Sequence, residues 1–209
     1  RRELEPGVVK FSVKPKKGVA YLIQQGHFED SADGIAKGLH KLSEVLNKTK
    51  IGEYLGEGDD RNIEVLHAYV DQMAFSGLTF DSATRHFLSG FRLPGEAQKI
   101  DRMMEKFAER YCLDNPGAFP SADTAYVLGY SIIMLNTDAH NPNIKPENKM
   151  KKAGFIRNNS GIAAGRDLSE DFLGQIYDAI INDAISLKED DDDRAKANES
   201  KGARGAGSV

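Results

Sequence analysis

Strand-like alternation is nearly absent from these 209 residues, and that lack removes most fold classes at once. Helical apolar spacing recurs from end to end instead. Cysteine is almost missing as well. The single Cys112 cannot form an internal disulfide, there is no C-x-x-C, and the five His show neither H-x-x-x-H nor H-E-x-x-H spacing. A disulfide framework and a structural zinc site are therefore not expected. Cys112 reads as a small, buried or half-buried apolar residue in a helix, suited to a reducing compartment. Positive charge is not in excess: 28 Lys and Arg stand against 32 Asp and Glu, for a net charge of -4. That argues against a general nucleic-acid binder. Long apolar runs are missing too. The most apolar window, Ala125 to Leu135, spans eleven residues and contains Gly129 and Ser131. It is too short to cross a bilayer and reads as a helix buried on most sides. Arg1-Arg2-Glu3-Leu4-Glu5-Pro6 has no apolar run behind it, so no signal peptide is expected and the chain reads as soluble.

What is present is an ordinary globular composition, 40% hydrophobic and 29% charged, long enough for a sizeable core. Apolar spacing predicts eight to ten helices joined by short polar turns. Val19, Leu22 and Ile23 make one ending at Gly26. Asp30 or Ser31 caps the next, which carries Ile35, Leu39, Leu42 and Leu46. A shorter piece around Ile51, Tyr54 and Leu55 stops at Gly56-Glu57-Gly58. Ile63, Leu66, Val70 and Met73 follow, with Gly77 as a stop. Asp81 or Thr79 opens a helix carrying Ala83, Phe87 and Leu88. A long helix runs from Glu96 to about Leu113. The apolar one starts at Ser121 or Asp123 and ends in the polar cluster Asn136 to Pro142. A weaker helix lies near Asn148 to Asn158, and the last extends from Leu168 to about Leu187. Residues 1–10 are expected to be loose, 11–188 to form one domain, and 189–209, acidic and then Lys, Ser, Gly and Ala, to be a disordered tail.

Two motifs stand out. In Phe91-Arg92-Leu93-Pro94-Gly95-Glu96, Pro94 fixes φ and disfavours helix at Leu93, while Gly95 permits backbone angles other residues resist. The helical pattern Ile100, Met103, Met104, Phe107, Tyr111 begins just beyond. Glu96 is thereby displayed at a helix start, either as a macrodipole partner contributing ~0.3–1 kcal/mol or as a probe aimed at a partner. The second motif runs from Ser121 to Pro142. Its Asp138, His140 and Asn141 could be mistaken for a metal or acid–base cluster, but the spacing is wrong for a helix-face metal pair. The plainer reading is a helix end whose loose carbonyls are met by polar side chains, with Gly129 and Ser131 letting another backbone approach. Ser131 and Thr137 offer no nucleophile-elbow pattern for a hydrolase using His140.

These two motifs closely resemble the signatures of the Sec-seven domain, the catalytic module of guanine-nucleotide exchange factors for Arf small GTPases. The resemblance covers Phe11 to Leu187. Lys14-Pro15-Lys16-Lys17-Gly18, Tyr54 to Asp60 and Gly95 to Arg102 are similar to the large trans-Golgi branch. The resemblance implies an all-α fold, an elongated right-handed array of about ten helices with an apolar groove in the C-terminal half. It implies that Glu96 enters the GTPase's nucleotide site to expel GDP and magnesium, with no covalent chemistry, so that GTP can bind. Arg92, Asp123, Tyr126, Ile133, Met134 and Asn141 would line the groove or contact the switch regions, while Leu128, Ile132 and Leu135 belong to the core. Tyr130, Ser131, Asp138 and Met150 match residue types of brefeldin-sensitive members, with Pro146-Glu147 as an insertion before Met150. Gly129 and Ala139 depart from the commoner Ser or Ala and Leu. The implied partner is an Arf-family GTPase in its GDP-bound and nucleotide-free forms, with no cofactor, metal or nucleic acid. Residence would be cytoplasmic and peripheral on trans-Golgi membranes, with membrane contact only through the full-length protein or the lipidated GTPase. The alternative is a helical scaffold that binds a GTPase or coat protein without exchange.

Overall fold

Three helix starts are closed by short polar side chains that answer the first free N–H groups. Ser31 Oγ accepts from the Gly34 N–H at 2.9 Å, Asn47 Oδ1 from Lys50 at 3.1 Å, and Ser169 Oγ from Phe172 at 3.3 Å. Thr79 and Ser121 precede their helices without such a bond. The computed structural model describes residues 4–187. Among them are ten helices: α1 (Leu4–Val13), α2 (Pro15–Gln24), α3 (Ala32–Lys41), α4 (Lys48–Gly56), α5 (Asp60–Asp71), α6 (Phe80–Leu88), α7 (Ala97–Asp114), α8 (Ala122–His140), α9 (Lys152–Asn158) and α10 (Glu170–Asn182). A single 3-10 turn, Pro146–Asn148, precedes α9. The described residues contain no strand beyond the isolated bridge between Ala163 and Arg166. No helix among them is long and apolar enough to cross a membrane.

The helices pass contacts along the chain. α1 lies on α2, α2 on α4, and α4 on α5 and α7; α3 covers α5; α7 lies on α8, and α8 on α10, which also meets α9 and α6. An aromatic knot fixes α6 on α7. The Phe87 and Phe107 rings stack at 4.9 Å with 3° between planes, and Phe75 meets Phe107 edge-on at 5.3 Å. Such pairs add about 0.5–1.5 kcal/mol beyond their burial.

Two expectations change. Within residues 1–10, expected to be loose, residues 4–10 belong to α1, which buries Gly7 and Phe11. Pro6 obscures this in the sequence, yet it sits in the first turn, where its missing N–H is not needed. The apolar helix ends at His140, within the polar cluster Asn136 to Pro142, as expected. The last helix ends at Asn182, and residues 183–187 leave it as an extended segment. The expected tail from 189 onward lies outside the described residues.

Candidate functional site

The 91–96 loop is held on α4 from several sides. Phe91 is buried edge-on against Phe87 and Tyr69, at 5.2 and 5.9 Å. The Arg92 N–H donates to the Lys48 carbonyl at 3.1 Å. One turn along, a Cβ at Gly52 would overlap the Arg92 carbonyl oxygen, so this approach of backbone on helix requires glycine. A Cβ at Gly56 would lie 3.2 Å from Pro94 Cγ and from Cβ and Cδ of Lys99, and the Gly56 carbonyl accepts from Arg102 at 2.7 Å. Gly52 and Gly56, four residues apart, therefore form a flat track on one face of α4 that seats the loop and the start of α7. Sequence reasoning read Gly56 only as a break and passed over Gly52; their spacing was the available signal. Gly95 departs from expectation in the other direction. It does not adopt positive φ, and nothing lies within 4 Å of where its Cβ would stand. The loop's shape comes from Pro94 and the α4 track rather than from freedom at Gly95.

Glu96 precedes the first turn of α7 with extended backbone angles, and its side chain makes no capping bond. The carboxylate is 72% exposed and, among the described residues, pairs with the Lys99 ammonium at 3.3 Å. Lys99 Nζ also approaches Glu57 at 3.8 Å. Lys99 is only 19% exposed, but the carboxylate end of the pair stands in solvent, so Glu96 is displayed and lightly tethered.

Beside it opens a groove of about 450 Å³. Leu93, Pro94 and Gly95 form one wall, Ile133, Met134, Thr137 and Asp138 of α8 another, with Ile100, Ile144 and Leu187 closing it. Met134 is 60% exposed, and Ile133, although 9% exposed, still reaches the groove. Leu128, Ile132 and Leu135, on the opposite face of α8, are fully buried, as expected. The helical period places Tyr126, Tyr130, Ile133 and Thr137 in one stripe, so the surface continues along α8 beyond the groove. Tyr126 and Tyr130 meet edge-on at 5.9 Å. The Tyr126 hydroxyl donates to Asp101 at 2.6 Å; that bond, then burial, pushes the phenol up to about 12. Asp123 and Tyr126 border a separate, acidic recess with Asp101, Glu105 and Glu109. Of the expected groove residues, Ile133 and Met134 line the apolar groove itself, whereas Arg92, Asp123, Tyr126 and Asn141 do not.

The polar end of α8 ties segments together more than it caps its own helix. Asp138 accepts from the Met150 N–H at 2.7 Å, and the Met150 carbonyl accepts from the Tyr177 hydroxyl at 2.8 Å. Asp138 and Met150 thus come together despite the Pro146-Glu147 insertion, which the 3-10 turn absorbs. His140 Nε2 lies 2.6 Å from the Ile180 carbonyl, and Lys149 donates to the Ala139 carbonyl at 2.7 Å. Asn141 Oδ1 accepts from Asn143 at 2.9 Å, closing a local turn. Ser131 does not admit another backbone; it accepts from Asn159 Nδ2 at 2.9 Å, while Gly129 faces the Met104 methyl. Among the described residues, no group of three His, Cys, Asp or Glu could hold a metal ion.

A sequence model of the family described as Sec7 domain matches residues 1–185. Brefeldin A-inhibited guanine nucleotide-exchange protein 2 of Arabidopsis thaliana is 57% identical over 189 residues, which are 90% of this chain and 10% of that protein. Cytohesin-2 of Homo sapiens is 49% identical over 190 residues, 91% of this chain and 47% of that one. The chain therefore spans about a tenth of the length of the first relative and about half of the second. Among solved structures, the Sec7p catalytic domain is 51% identical with a TM-score of 0.82, over 87% of this chain and 95% of that one. A Sec7 domain bound to ARF1-GDP and Brefeldin A is 38% identical, also with a TM-score of 0.82, over 90% of this chain and 95% of that one. In sequence and in backbone alike, this chain belongs to the Sec7 domain family.

Proposed function

We propose that this chain is a guanine-nucleotide exchange module for Arf-family small GTPases, with Glu96 as the group that enters the nucleotide site. The observation that carries the reading is a displayed carboxylate, on a loop locked to α4, one residue past the wall of an open apolar groove. The names of the relatives support it, as does the similar domain seen with ARF1-GDP.

The groove takes apolar switch residues of the GTPase against Ile133 and Met134, which excludes water around Glu96. Arg92, Asp123, Tyr126 and Asn141 contact its polar rim. A carboxylate brought to about 4 Å from a phosphate charge is repelled by roughly 4 kcal/mol at an effective dielectric near 20. It also competes for the GTPase's phosphate-binding lysine and makes the magnesium position untenable. Each ~1.4 kcal/mol of lowered barrier speeds release tenfold, so this one charge supplies about three orders of magnitude. No bond is made or broken. The nucleotide-free GTPase stays bound until GTP displaces the module, because each ligand weakens the other's binding. Tyr130, Ser131, Asp138 and Met150 form the surface against which brefeldin A wedges while GDP is still held. In the cell the module serves vesicle coat recruitment, as a peripheral part of a longer protein on Golgi membranes.

The test is release of a fluorescent guanine nucleotide from an N-terminally truncated Arf, with and without this chain. Acceleration that brefeldin A suppresses is the expected result. Binding without acceleration would instead make the chain a scaffold.

A further inference from the structure

Asn136 is 2% exposed, and both ends of its amide are committed to a single residue. Its Nδ2 donates to the Ile185 carbonyl at 2.9 Å, and its Oδ1 accepts from the Ile185 N–H at 2.7 Å. This is a two-point clamp on the backbone of the extended segment that follows α10. It holds Ile185 at 5% exposure and sends Leu187, two residues on, into the groove beside Ile133 and Met134. The clamp fixes the backbone two residues before Leu187, and so limits where Leu187 can stand.

We infer that residues 183–187 are a working wall of the partner-binding groove, with Leu187 as an apolar contact for the GTPase and Asn136 as the residue that positions it. The inference rests on the exchange reading above and adds to it. The wall belongs neither to the 91–96 loop nor to the exposed face of α8. Continuity argues for one occupant: Leu187 borders the same cavity as Leu93, Ile133 and Met134, so a GTPase seated in that groove is brought beside Leu187. The division of labour follows. Glu96 acts on the nucleotide and sets the maximal rate, whereas Leu187 acts on the docked protein and sets its affinity. Asn136 reaches no partner itself and acts through Leu187.

The experiment uses N-terminally truncated Arf loaded with fluorescent GDP, and separately its nucleotide-free form in a binding titration. Leu187→Ala removes most of that apolar contact. It should raise KM and weaken the titrated affinity about tenfold with kcat unchanged, and Leu187→Met should restore most of both. Asn136→Leu, of similar size, leaves the Ile185 N–H and carbonyl unanswered and should reproduce the KM defect. The double variant should be scarcely worse than either single, because both changes remove the same wall. Should the Asn136 variant fail to fold, the two Leu187 variants decide alone. An unchanged KM and affinity in Leu187→Ala, or a loss confined to kcat, would overturn the inference while the parent still exchanges. A parent that binds without exchanging would remove the exchange reading, and the titration would still report on the wall.

Discussion

Substituting Gly52 by Ala tests whether α4 sets the height of the 91–96 loop. The new methyl would overlap the Arg92 carbonyl oxygen, which is backbone and cannot swing aside. Overpacking at a tight site costs about 1–3 kcal/mol. If the loop lifts, the bond from Arg92 N–H to the Lys48 carbonyl weakens, adding ~0.5–1.5 kcal/mol. Replacing a helical glycine by alanine returns about 1 kcal/mol of propensity. The balance is a loss of about 2 kcal/mol, or ~4–8 °C in melting temperature for a chain of this size. The functional loss should exceed the stability loss, since a displacement near ~1 Å at a reacting group costs on the order of 100-fold. The neighbouring glycines serve as graded controls. At Gly56 a Cβ would press the side chains of Lys99 and Pro94 at 3.2 Å, which can yield slightly, so Ala there should be nearly neutral. At Gly95 nothing lies within 4 Å, and Ala should leave the fold untouched. Thermal unfolding and Arf nucleotide release on the three variants give the order. A Gly52→Ala variant as stable and as active as the Gly95→Ala variant would refute the claim that α4 seats the loop.

Gly129→Ala should stabilise by up to ~1 kcal/mol, because the obstructing atom is the movable Met104 methyl and the position lies mid-helix; chemical denaturation checks it. His40 stacks on Tyr69 with 3.7 Å between ring centroids, and burial holds its pKa below the ordinary 6.5. Its folded form resists protonation, so stability is full above pH 6.5 and falls as pH drops from there through the lowered folded value. Denaturation midpoints measured from pH 7.5 to about 5 should show a drop that His40→Gln diminishes. Lys99→Ala removes a side chain only 19% exposed whose stem lies over Gly56, so it should lower the melting temperature modestly and slow nucleotide release several-fold by freeing Glu96 to wander. Equal release rates for parent and variant would assign Lys99 no part in orienting that carboxylate.

Much of this was legible in the chain itself, because the relevant physics is local. Helical spacing gave the α-only architecture, and the Pro-Gly interruption before a periodic segment placed Glu96 at the start of α7, where it is found exposed. Ser31, one of two candidate caps, is the residue whose hydroxyl closes the α3 terminus. What stayed hidden depended on contacts distant in sequence. Nothing near Gly52 signals that the Arg92 carbonyl will rest on it, and nothing near Asn136 signals a backbone clamp 49 residues downstream. Beyond Asn182, Ile185 finds its hydrogen bonds on α8 instead of in a further helical turn. Ile133 and Met134 are adjacent in sequence and border one apolar cavity, but Leu93, Pro94, Ile144 and Leu187 join them only in three dimensions.

The most direct test of the exchange mechanism is a charge series at position 96, read as nucleotide release at saturating module with affinity for nucleotide-free Arf measured beside it. Glu96→Gln removes the charge at nearly constant shape, Glu96→Asp keeps the charge and withdraws it by one methylene, and Glu96→Lys reverses it. A carboxylate acting on phosphate and magnesium predicts that release falls by about three orders of magnitude in the Gln variant and at least as far in the Lys variant, in line with ~4 kcal/mol of charge repulsion. Asp should retain an intermediate rate, and all three should still bind the GTPase. Release that survives in Glu96→Gln at the parent's rate would contradict the mechanism and leave docking alone to explain exchange.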